Sequence, residues 1–220
     1  MKPAISGLYG VTPETEDTQA LLHKVGAALA GGLRWVQYRS KGGDAALRRV
    51  QALALRRLCT GHGACLVVND DVSLALEVGA DGVHLGRDDT PLATARSRVG
   101  SHCLVGVSCY NRLDLALGAT AAGADYVAFG SFFPSRVKPS AVRADPSLLT
   151  MARECLELPV VAIGGITLDN APVLIEAGAT SIAVVTALFD AADIRAAAMS
   201  FNELFQDSRT RAERHHDLPQ

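Results

Sequence analysis

The stretch G-A-D-G-V-H-L-G, Gly79 to Gly86, decides the fold, because the chain contains two further versions of it. These are G-A-D-Y-V-A-F-G, Gly123 to Gly130, and G-A-T-S-I-A-V-V, Gly178 to Val185. Each version predicts a glycine that ends a helix, then a polar turn and a short buried strand. The recurrence indicates that one helix-to-strand hinge is used repeatedly, as in folds built from βα units.

Around these hinges, short apolar segments alternate with segments of helical spacing. The apolar segments predict strands at residues 8–12, 33–41, 65–68, 82–85, 104–107, 126–129, 160–163 and 182–185. Helices are predicted at residues 18–30, 44–58, 72–78, 91–98, 113–122, 146–156, 171–176 and 194–205. Eight strands that each precede a helix predict an α/β protein with a (β/α)8 TIM barrel.

One domain is predicted for residues 1–205, and residues 206–220 lack apolar periodicity and are expected to be a disordered tail. An open doubly wound sheet would show the same alternation of strands and helices. However, no G-x-G-x-x-G follows the first strand, so a dinucleotide-binding sheet loses its main support.

Composition narrows the class of function. The formal net charge of -2 gives no support for a nucleic-acid partner, and no apolar run is long enough to predict a membrane span. Five cysteines, an odd number without a C-x-x-C pair, predict free thiols in a cytoplasmic protein. The expected partners are therefore small molecules, and the composition leaves open whether the chain forms a homo-oligomer.

The segment V-Q-Y-R-S-K, Val36 to Lys41, concentrates charge at the end of a strand. If the strand continues through it, Gln37, Arg39 and Lys41 share one face, because alternate side chains of a strand point the same way. A guanidinium fork and an ammonium together suit a phosphate group. The alternative is a strand end whose charges only face water.

In a barrel the chemistry is expected where the strands end, and polar residues follow several of the predicted strands. They are Asn69, Asp70, Asp88, Asp89, Ser108, Ser131, Ser135 and Lys138. Asp70 and Asp89 follow neighbouring strands, and their carboxylates suit Mg²⁺ that also binds substrate phosphate. Alternatively, Asp70 or Asp71 only caps the next helix.

A second anion site is predicted at I-G-G-I, Ile163 to Ile166, and at the end of the last strand. Loops after the seventh and eighth strands often bind phosphate in such barrels, and glycine leaves room for backbone N–H groups to approach the anion. Gly165, Val185 and Thr186 would donate through the backbone. The alternative is a tight turn into the next helix.

Seven motifs together resemble the thiamine-phosphate synthase family. In chain order they are L-Y-G-V-T, V-Q-Y-R-S-K, V-V-N-D-D, G-A-D-G-V-H-L-G-R-D-D, G-V-S-C-Y-N, G-A-D-Y-V-A-F-G-S-F-F-P-S-R-V-K and P-V-V-A-I-G-G-I. They extend over most of residues 8–188. The resemblance implies a transferase of thiamine biosynthesis that joins hydroxymethylpyrimidine diphosphate to thiazole phosphate, with Mg²⁺, to give thiamine phosphate and pyrophosphate.

The resemblance also implies roles for particular residues. The pyrimidine diphosphate would bind at Gln37, Tyr38, Arg39, Ser40, Lys41, Asn69, Ser108 and Lys138. The thiazole phosphate would bind at Ser135, Arg136, Val137, Gly165, Val185 and Thr186. Asp70 and Asp89 would hold Mg²⁺, and Arg39, Lys41, Ser108 and Lys138 would act in catalysis. His84 and Cys109 are expected to pack or to support neighbouring groups.

The chain departs from the family pattern at three places. Ser135 to Lys138 reads S-R-V-K where the family usually has T-x-T-K, so one hydroxyl is missing and Arg136 adds a charge. Arg87 replaces a usual glutamine, and Tyr110 replaces a frequent histidine. Two alternatives therefore stay open: a thiazole tautomerase-like enzyme, which would need no diphosphate site, and a regulatory barrel that binds thiazole phosphate without turnover.

Overall fold

The computed structural model describes residues 2–42, 44–134 and 142–216, with side chains as far as Asp207. The strands are β1 (Gly7–Val11), β2 (Trp35–Tyr38), β3 (Cys65–Asn69), β4 (Gly82–Leu85), β5 (Leu104–Tyr110), β6 (Tyr126–Phe129), β7 (Val160–Ile163) and β8 (Ser181–Val184). The helices are α1 (Thr18–Ala30), α2 (Ala45–Gly61), α3 (Val72–Val78), α4 (Leu92–Val99), α5 (Leu113–Ala121), α6 (Ser147–Cys155), α7 (Ala171–Glu176), α8 (Thr186–Phe189) and α9 (Ile194–His216).

The eight strands form a closed barrel in sequence order. All neighbours are parallel, and β1 pairs with both β2 and β8, which closes the sheet. The predicted (β/α)8 barrel is confirmed, and the open doubly wound alternative is excluded. Within the described part of the chain, no helix is long and apolar enough to cross a membrane.

Apolar side chains fill two separate layers. The larger layer lies between the strands and the surrounding helices and contains, for example, Leu66, Val83 and Leu149. The smaller layer fills the barrel interior and includes Tyr9 and Tyr126. Alternate residues of each strand supply the two layers, because successive strand side chains point to opposite faces.

The repeated G-A-D/T hinge has one structural role in all three versions. Its polar side chain accepts a hydrogen bond from a backbone N–H at the start of the preceding strand. The pairs are Leu66 N–H to Asp81 (2.8 Å), Val105 N–H to Asp125 (2.8 Å) and Val160 N–H to Thr180 (2.9 Å). This contact ties each hinge to the neighbouring strand, which explains why the same sequence recurs along the chain.

Several elements differ from the sequence prediction: β5 and α2 extend three residues further, to Tyr110 and Gly61, and β2, α8 and α9 differ as well. β2 ends at Tyr38, so Arg39 and Lys41 lie beyond the strand, and the argument that alternation places them on one face with Gln37 was wrong. The short helix α8 was not predicted, since a four-residue helix is too short to show periodicity. The last helix continues past residue 205 to His216, because Gln, Arg, Ala and Glu favour helix even without apolar spacing. Residues 217–220 lie outside the described residues.

Gly106 in β5 makes room for the Tyr126 side chain in the barrel interior. A Cβ atom at this position would lie 1.9 Å from Cζ of Tyr126. Gly106 pairs with Tyr126 on β6 and with His84 on β4, so the tyrosine ring occupies the space that a side chain at residue 106 would fill. The glycine in the middle of an apolar strand is therefore a packing requirement.

We expect Gly106→Ala to lower the free energy of unfolding by about 1–3 kcal/mol, because the added methyl group overlaps the Tyr126 ring. Gly118→Ala is the matched control. Gly118 lies within α5, where a Cβ would meet nothing within 4 Å, so alanine should be neutral or stabilising by about 0.5–1 kcal/mol. Urea denaturation of the three proteins measures both effects, and a Gly106→Ala variant as stable as wild type would contradict the packing argument.

Asp125 belongs to the second hinge, where its carboxylate accepts from Val105 N–H. The same carboxylate contacts Lys2 (2.7 Å) and Arg96. Burial raises the pKa of Asp125, but the hydrogen bonds from Lys2, the Val105 N–H and Arg96 outweigh it and hold the pKa below its usual range. A lowered pKa in the folded state stabilises the protein above the unfolded value of about 3.9, and this contribution disappears as the pH falls below it. Asp125→Asn should therefore destabilise the protein at pH 7, and the difference from wild type should shrink as the pH falls from about 5 to about 3. A difference independent of pH would contradict this assignment.

Candidate functional site

Gln37 and Tyr38 end β2 on opposite faces of the barrel. The Gln37 side chain is buried in the interior, where Nε2 donates to the Tyr9 hydroxyl at 3.0 Å. The Tyr38 side chain points outward, and its hydroxyl donates to Gln51 of α2 at 2.8 Å. Of these two predicted substrate residues, the structure therefore brings only Gln37 to the interior through its side chain.

The loop after β2 is held by its neighbour after β1. Arg39 N–H donates to the Thr12 hydroxyl at 3.0 Å, and Lys41 N–H donates to a carboxylate oxygen of Glu14 at 2.8 Å. Glu14 also accepts from the N–H of Gly42. These contacts fix the backbone that carries the two cations, and the Ser40 hydroxyl donates to the Gly42 carbonyl at 3.2 Å.

Glu14 was not among the site residues predicted from the sequence. It could have been predicted, because it follows β1 just as the predicted polar residues follow the other strands.

The two predicted acidic residues meet at the ends of β3 and β4. Asp70 forms an ion pair with the ammonium group of Lys41 and also lies within hydrogen-bonding reach of Asp89. Asp89 accepts a hydrogen bond from Gly86 N–H at 2.7 Å. The structure thus brings Lys41, Asp70 and Asp89 together at one place on the rim.

The pKa of Asp89 is raised. Burial is the largest cause, and the hydrogen bond and the charge of Asp70 raise it further, whereas the Gly86 N–H and Lys41 act in the opposite direction. Two carboxylates at short range disfavour full ionisation of both. A bound cation would remove this repulsion.

Asp71, not Asp70, caps the following helix. Its carboxylate accepts from Leu74 N–H at 2.9 Å at the start of α3. Asp70 instead has φ of 64°, a left-handed conformation that is costly for a residue other than glycine. This conformation leaves Asp70 on the rim and separates the two roles that the sequence left open.

Ser108 and Asn69 lie at the ends of β5 and β3. The Ser108 hydroxyl lies 2.9 Å from Nε2 of His84, which itself is buried in the barrel interior. Asn69 pairs in register with His84 across β3 and β4. Cys109 points away from the interior into the apolar layer, and burial raises the pKa of its thiol to about 12.

The second predicted anion site is formed by closely packed backbone. Gly165 has φ of +65°, and a Cβ there would lie 2.2 Å from the carbonyl oxygen of Pro134. Phe133 N–H donates to the Gly164 carbonyl at 2.9 Å, so the loop after β6 lies directly on the glycine turn after β7. The absence of a side chain at Gly165 is therefore needed for this contact.

Val185 connects β8 to α8, and Thr186 is the first residue of α8. The first N–H groups of a helix have no partner within it. Ser135, Arg136, Val137 and Lys138, by contrast, lie outside the described residues.

Arg87 and Tyr110 contact each other. They are the residues that replace a glutamine and a histidine of the family pattern. The Arg87 guanidinium lies 4.8 Å from the centre of the Tyr110 ring, and Arg87 N–H donates to the Tyr110 hydroxyl at 3.2 Å. Tyr110 also has a left-handed φ, 56°. This contact connects the loop after β4, which carries Asp89, to the end of β5.

The chemistry of the acidic pair fits Mg²⁺. In the described part of the chain, no group of three or more His, Cys, Asp or Glu side chains could hold a metal ion. Mg²⁺ does not need such a group, because it commonly uses one or two carboxylates and takes its remaining ligands from water and substrate phosphate. Asp70 and Asp89, with their mutual repulsion, would supply those two carboxylates.

A closed (β/α)8 barrel with an acidic pair, a lysine and a glycine turn on its carboxyl rim has the architecture of a barrel enzyme for anionic small molecules. A family model described as thiamine monophosphate synthase matches residues 8–188. The chain belongs to the thiamine monophosphate synthase family.

Similar proteins agree with this family. A protein of Thiobacillus denitrificans named thiamine-phosphate synthase is 57% identical over 205 residues, which cover 93% of this chain and 97% of the relative. A protein of Chromobacterium violaceum with the same name is 55% identical over 198 residues, covering 90% and 95% of the two chains. The solved structure of thiamine phosphate pyrophosphorylase from Pyrococcus furiosus has a TM-score of 0.81 and 33% identity, covering 91% of this chain and 96% of that one. The family resemblance seen in the motifs is confirmed.

The acidic pair gives a test of metal binding that does not depend on turnover. We expect Asp89→Asn to raise the melting temperature in the presence of a chelator, because it removes the repulsion between two carboxylates and an amide oxygen can still accept from Gly86. Adding Mg²⁺ should then raise the melting temperature of wild type but not of an Asp70→Asn/Asp89→Asn double variant. An equal response of both proteins to Mg²⁺ would contradict a metal site at this pair.

Proposed function

We propose that this chain catalyses the formation of thiamine phosphate. The two substrates are 4-amino-2-methyl-5-(diphosphooxymethyl)pyrimidine and 4-methyl-5-(2-phosphoethyl)thiazole, and pyrophosphate is released. Relatives named thiamine-phosphate synthase, at 57% and 55% identity over almost the whole chain, support this activity. The resemblance of the motifs implies the same reaction, a transfer of a pyrimidinylmethyl group.

The observation that carries the proposal is the group formed by Lys41, Asp70 and Asp89. A site that only bound the thiazole phosphate, as in the tautomerase alternative, would not need two converging carboxylates beside a lysine. A diphosphate and its metal ion need both signs of charge at one place. This group therefore favours a diphosphate substrate.

We assign Arg39, Lys41, Asn69 and Lys138 to the diphosphate. The backbone of Arg39 is held by Thr12 and that of Lys41 by Glu14, so these two cations are positioned before the substrate binds. Gln37 and Ser108 reach the interior from opposite sides and would contact the pyrimidine. Tyr38, at the end of β2, and Ser40, in the loop after it, would contribute through their backbone.

We assign the thiazole phosphate to the glycine turn and the start of α8. Gly165, Val185 and Thr186 would offer backbone N–H groups, and the family resemblance implies that Ser135, Arg136 and Val137 bind the same phosphate. The close contact between Pro134 and Gly165 supports this assignment, because it brings that loop to the glycine turn.

Asp70 and Asp89 would hold Mg²⁺, which neutralises charge on the departing pyrophosphate when it is bound. The resemblance implies that the bond to pyrophosphate breaks before the thiazole nitrogen attacks. Such a reaction needs charge stabilisation and positioning more than a nucleophile or a general base. The buried thiol of Cys109, with its raised pKa, suits packing and not nucleophilic attack.

We also propose that the protein works in the cytoplasm. All five cysteines are free thiols in the structure, a state that fits a reducing compartment.

The first experiment is to measure pyrophosphate release by the purified protein, with both substrates and Mg²⁺ and then with a chelator. Release that needs both substrates and Mg²⁺, together with equal formation of thiamine phosphate, is expected. Folded protein that binds both ligands without release would instead favour a binding barrel. Protein that converts the thiazole ligand without using diphosphate would favour the tautomerase.

Asp70→Asn and Asp89→Asn should each lower kcat by about 10²-fold or more, because each removes a charge that would hold the metal against the diphosphate. Asp71→Asn is the matched control. It makes the same charge change one residue away, and asparagine keeps the helix cap, so turnover should stay close to wild type. Wild-type turnover in both rim variants would defeat the metal assignment.

A further inference from the structure

A continuous chain of hydrogen bonds crosses the barrel interior. Gln37 Nε2 contacts the Tyr9 hydroxyl at 3.0 Å, and the Tyr9 hydroxyl contacts the Tyr126 hydroxyl at 3.0 Å. The Tyr126 hydroxyl lies 3.0 Å from Nδ1 of His84, and Nε2 of His84 lies 2.9 Å from the Ser108 hydroxyl. The two ends are proposed pyrimidine contacts, whereas the three residues between them have no role in the proposed function.

With the amide nitrogen of Gln37 facing the Tyr9 hydroxyl, the donors in this row of hydrogen bonds can point in only one satisfactory direction. An amide nitrogen only donates, so the Tyr9 hydroxyl accepts from Gln37 and its own hydrogen is available to Tyr126. Tyr126 then donates to Nδ1 of His84. In the opposite direction, the Tyr9 hydrogen would lack an acceptor among its contacts with the described residues, at a site that is 1% exposed. An unpaired buried donor is costly, so the first direction is favoured.

This direction sets the tautomer of His84. Because Nδ1 accepts from Tyr126, the ring proton is on Nε2 and is donated to the Ser108 oxygen. The hydroxyl hydrogen of Ser108 is then not used by His84. It is left to donate to a ligand at the rim.

The His84 ring is also fixed in orientation. It stacks on Tyr126 with ring centres 5.6 Å apart and an angle of 22° between the planes. Tyr126 in turn lies where Gly106 has no side chain. The stack and the two hydrogen bonds together hold both ring nitrogens in place, which is the property that a residue acting through another one needs.

We propose that His84 is a positioning residue that makes Ser108 a hydrogen-bond donor to the pyrimidine substrate. The proposal rests on the proposed function for the identity of that substrate. His84 does not touch the ligand itself; its Nε2–H occupies a lone pair of Ser108 and so directs the Ser108 hydrogen toward the rim. The link through Tyr126 and Tyr9 makes the arrangement of Ser108 dependent on that of Gln37.

A double-mutant cycle tests the inference. We expect His84→Leu and Ser108→Ala each to lower kcat/KM for the pyrimidine diphosphate by about tenfold, the effect of one hydrogen bond. If His84 acts through Ser108 as proposed, the double variant should be no worse than Ser108→Ala within about twofold. The KM for the thiazole phosphate should change little. Losses that multiply in the double variant would overturn the inference.

Two further variants separate positioning from stability. His84→Gln keeps an amide nitrogen that extends about as far as Nε2, so it should recover part of the lost kcat/KM. Ser181→Ala removes a different buried hydrogen bond, to the Gly7 carbonyl (2.9 Å) at the opposite end of the barrel. It should lower the melting temperature without changing kcat/KM. If His84→Gln recovers nothing, or if Ser181→Ala lowers kcat/KM as much as His84→Leu, a general structural effect is the better explanation and the proposal fails.

The tautomer can be measured without turnover. Nitrogen NMR of protein labelled with [15N]histidine should show His84 protonated at Nε2, with its signals identified by their loss in His84→Gln. Protonation at Nδ1 would overturn the inference. If the wild-type protein releases no pyrophosphate, the proposed function fails, and the NMR result still decides the direction of the hydrogen-bond chain.

Discussion

The pairing of β1 with β8 is the constraint on which the rest of the structure depends. Because the strands are parallel and follow one another in sequence order, closure places all eight carboxyl ends on one rim. Side chains that are far apart in sequence then meet, as Lys41 and Asp70 do across 29 positions of the chain. Glu14 after β1 likewise reaches the loop after β2. The hinges at the other end of the barrel stabilise this arrangement without occupying the rim.

The barrel interior combines apolar packing with a polar centre. Tyr9, Tyr126 and His84 are nearly inaccessible to solvent, yet the hydroxyl and ring nitrogen atoms of all three have hydrogen-bond partners. A buried polar group without a partner is destabilising, whereas a satisfied network favours one arrangement over others. Gly106 makes the network possible, since any side chain there would displace the Tyr126 ring. The interior therefore contributes to the site as well as to the core.

The fold was predictable because the sequence patterns that indicate it lie within short segments of the chain. The repeated G-A-D/T hinge, apolar strands and helical spacing predicted all eight strands and the barrel. Local signals also identified the polar residues that follow the strands, including the acidic pair. The end of β2 was missed because neither charge nor spacing marks where a strand stops when polar residues follow it. Contacts across the interior were not predictable, since Tyr9 and Tyr126 are separated by 117 positions and look like ordinary core residues in the sequence.

The ion pair between Lys41 and Asp70 explains how the rim can be charged and still ready for a ligand. The Lys41 side chain is about half exposed, with a relative accessibility of 51% against 23% for Asp70. Ion pairs in such exposed positions contribute only about 0–1 kcal/mol, so exchanging partners costs little. In the proposed function, Lys41 would turn to a phosphate while Asp70 joins Asp89 on a cation, and each charge would then have a stronger partner. The weak pair holds the groups near their working positions because Glu14 and the left-handed backbone of Asp70 fix the two loops independently of it.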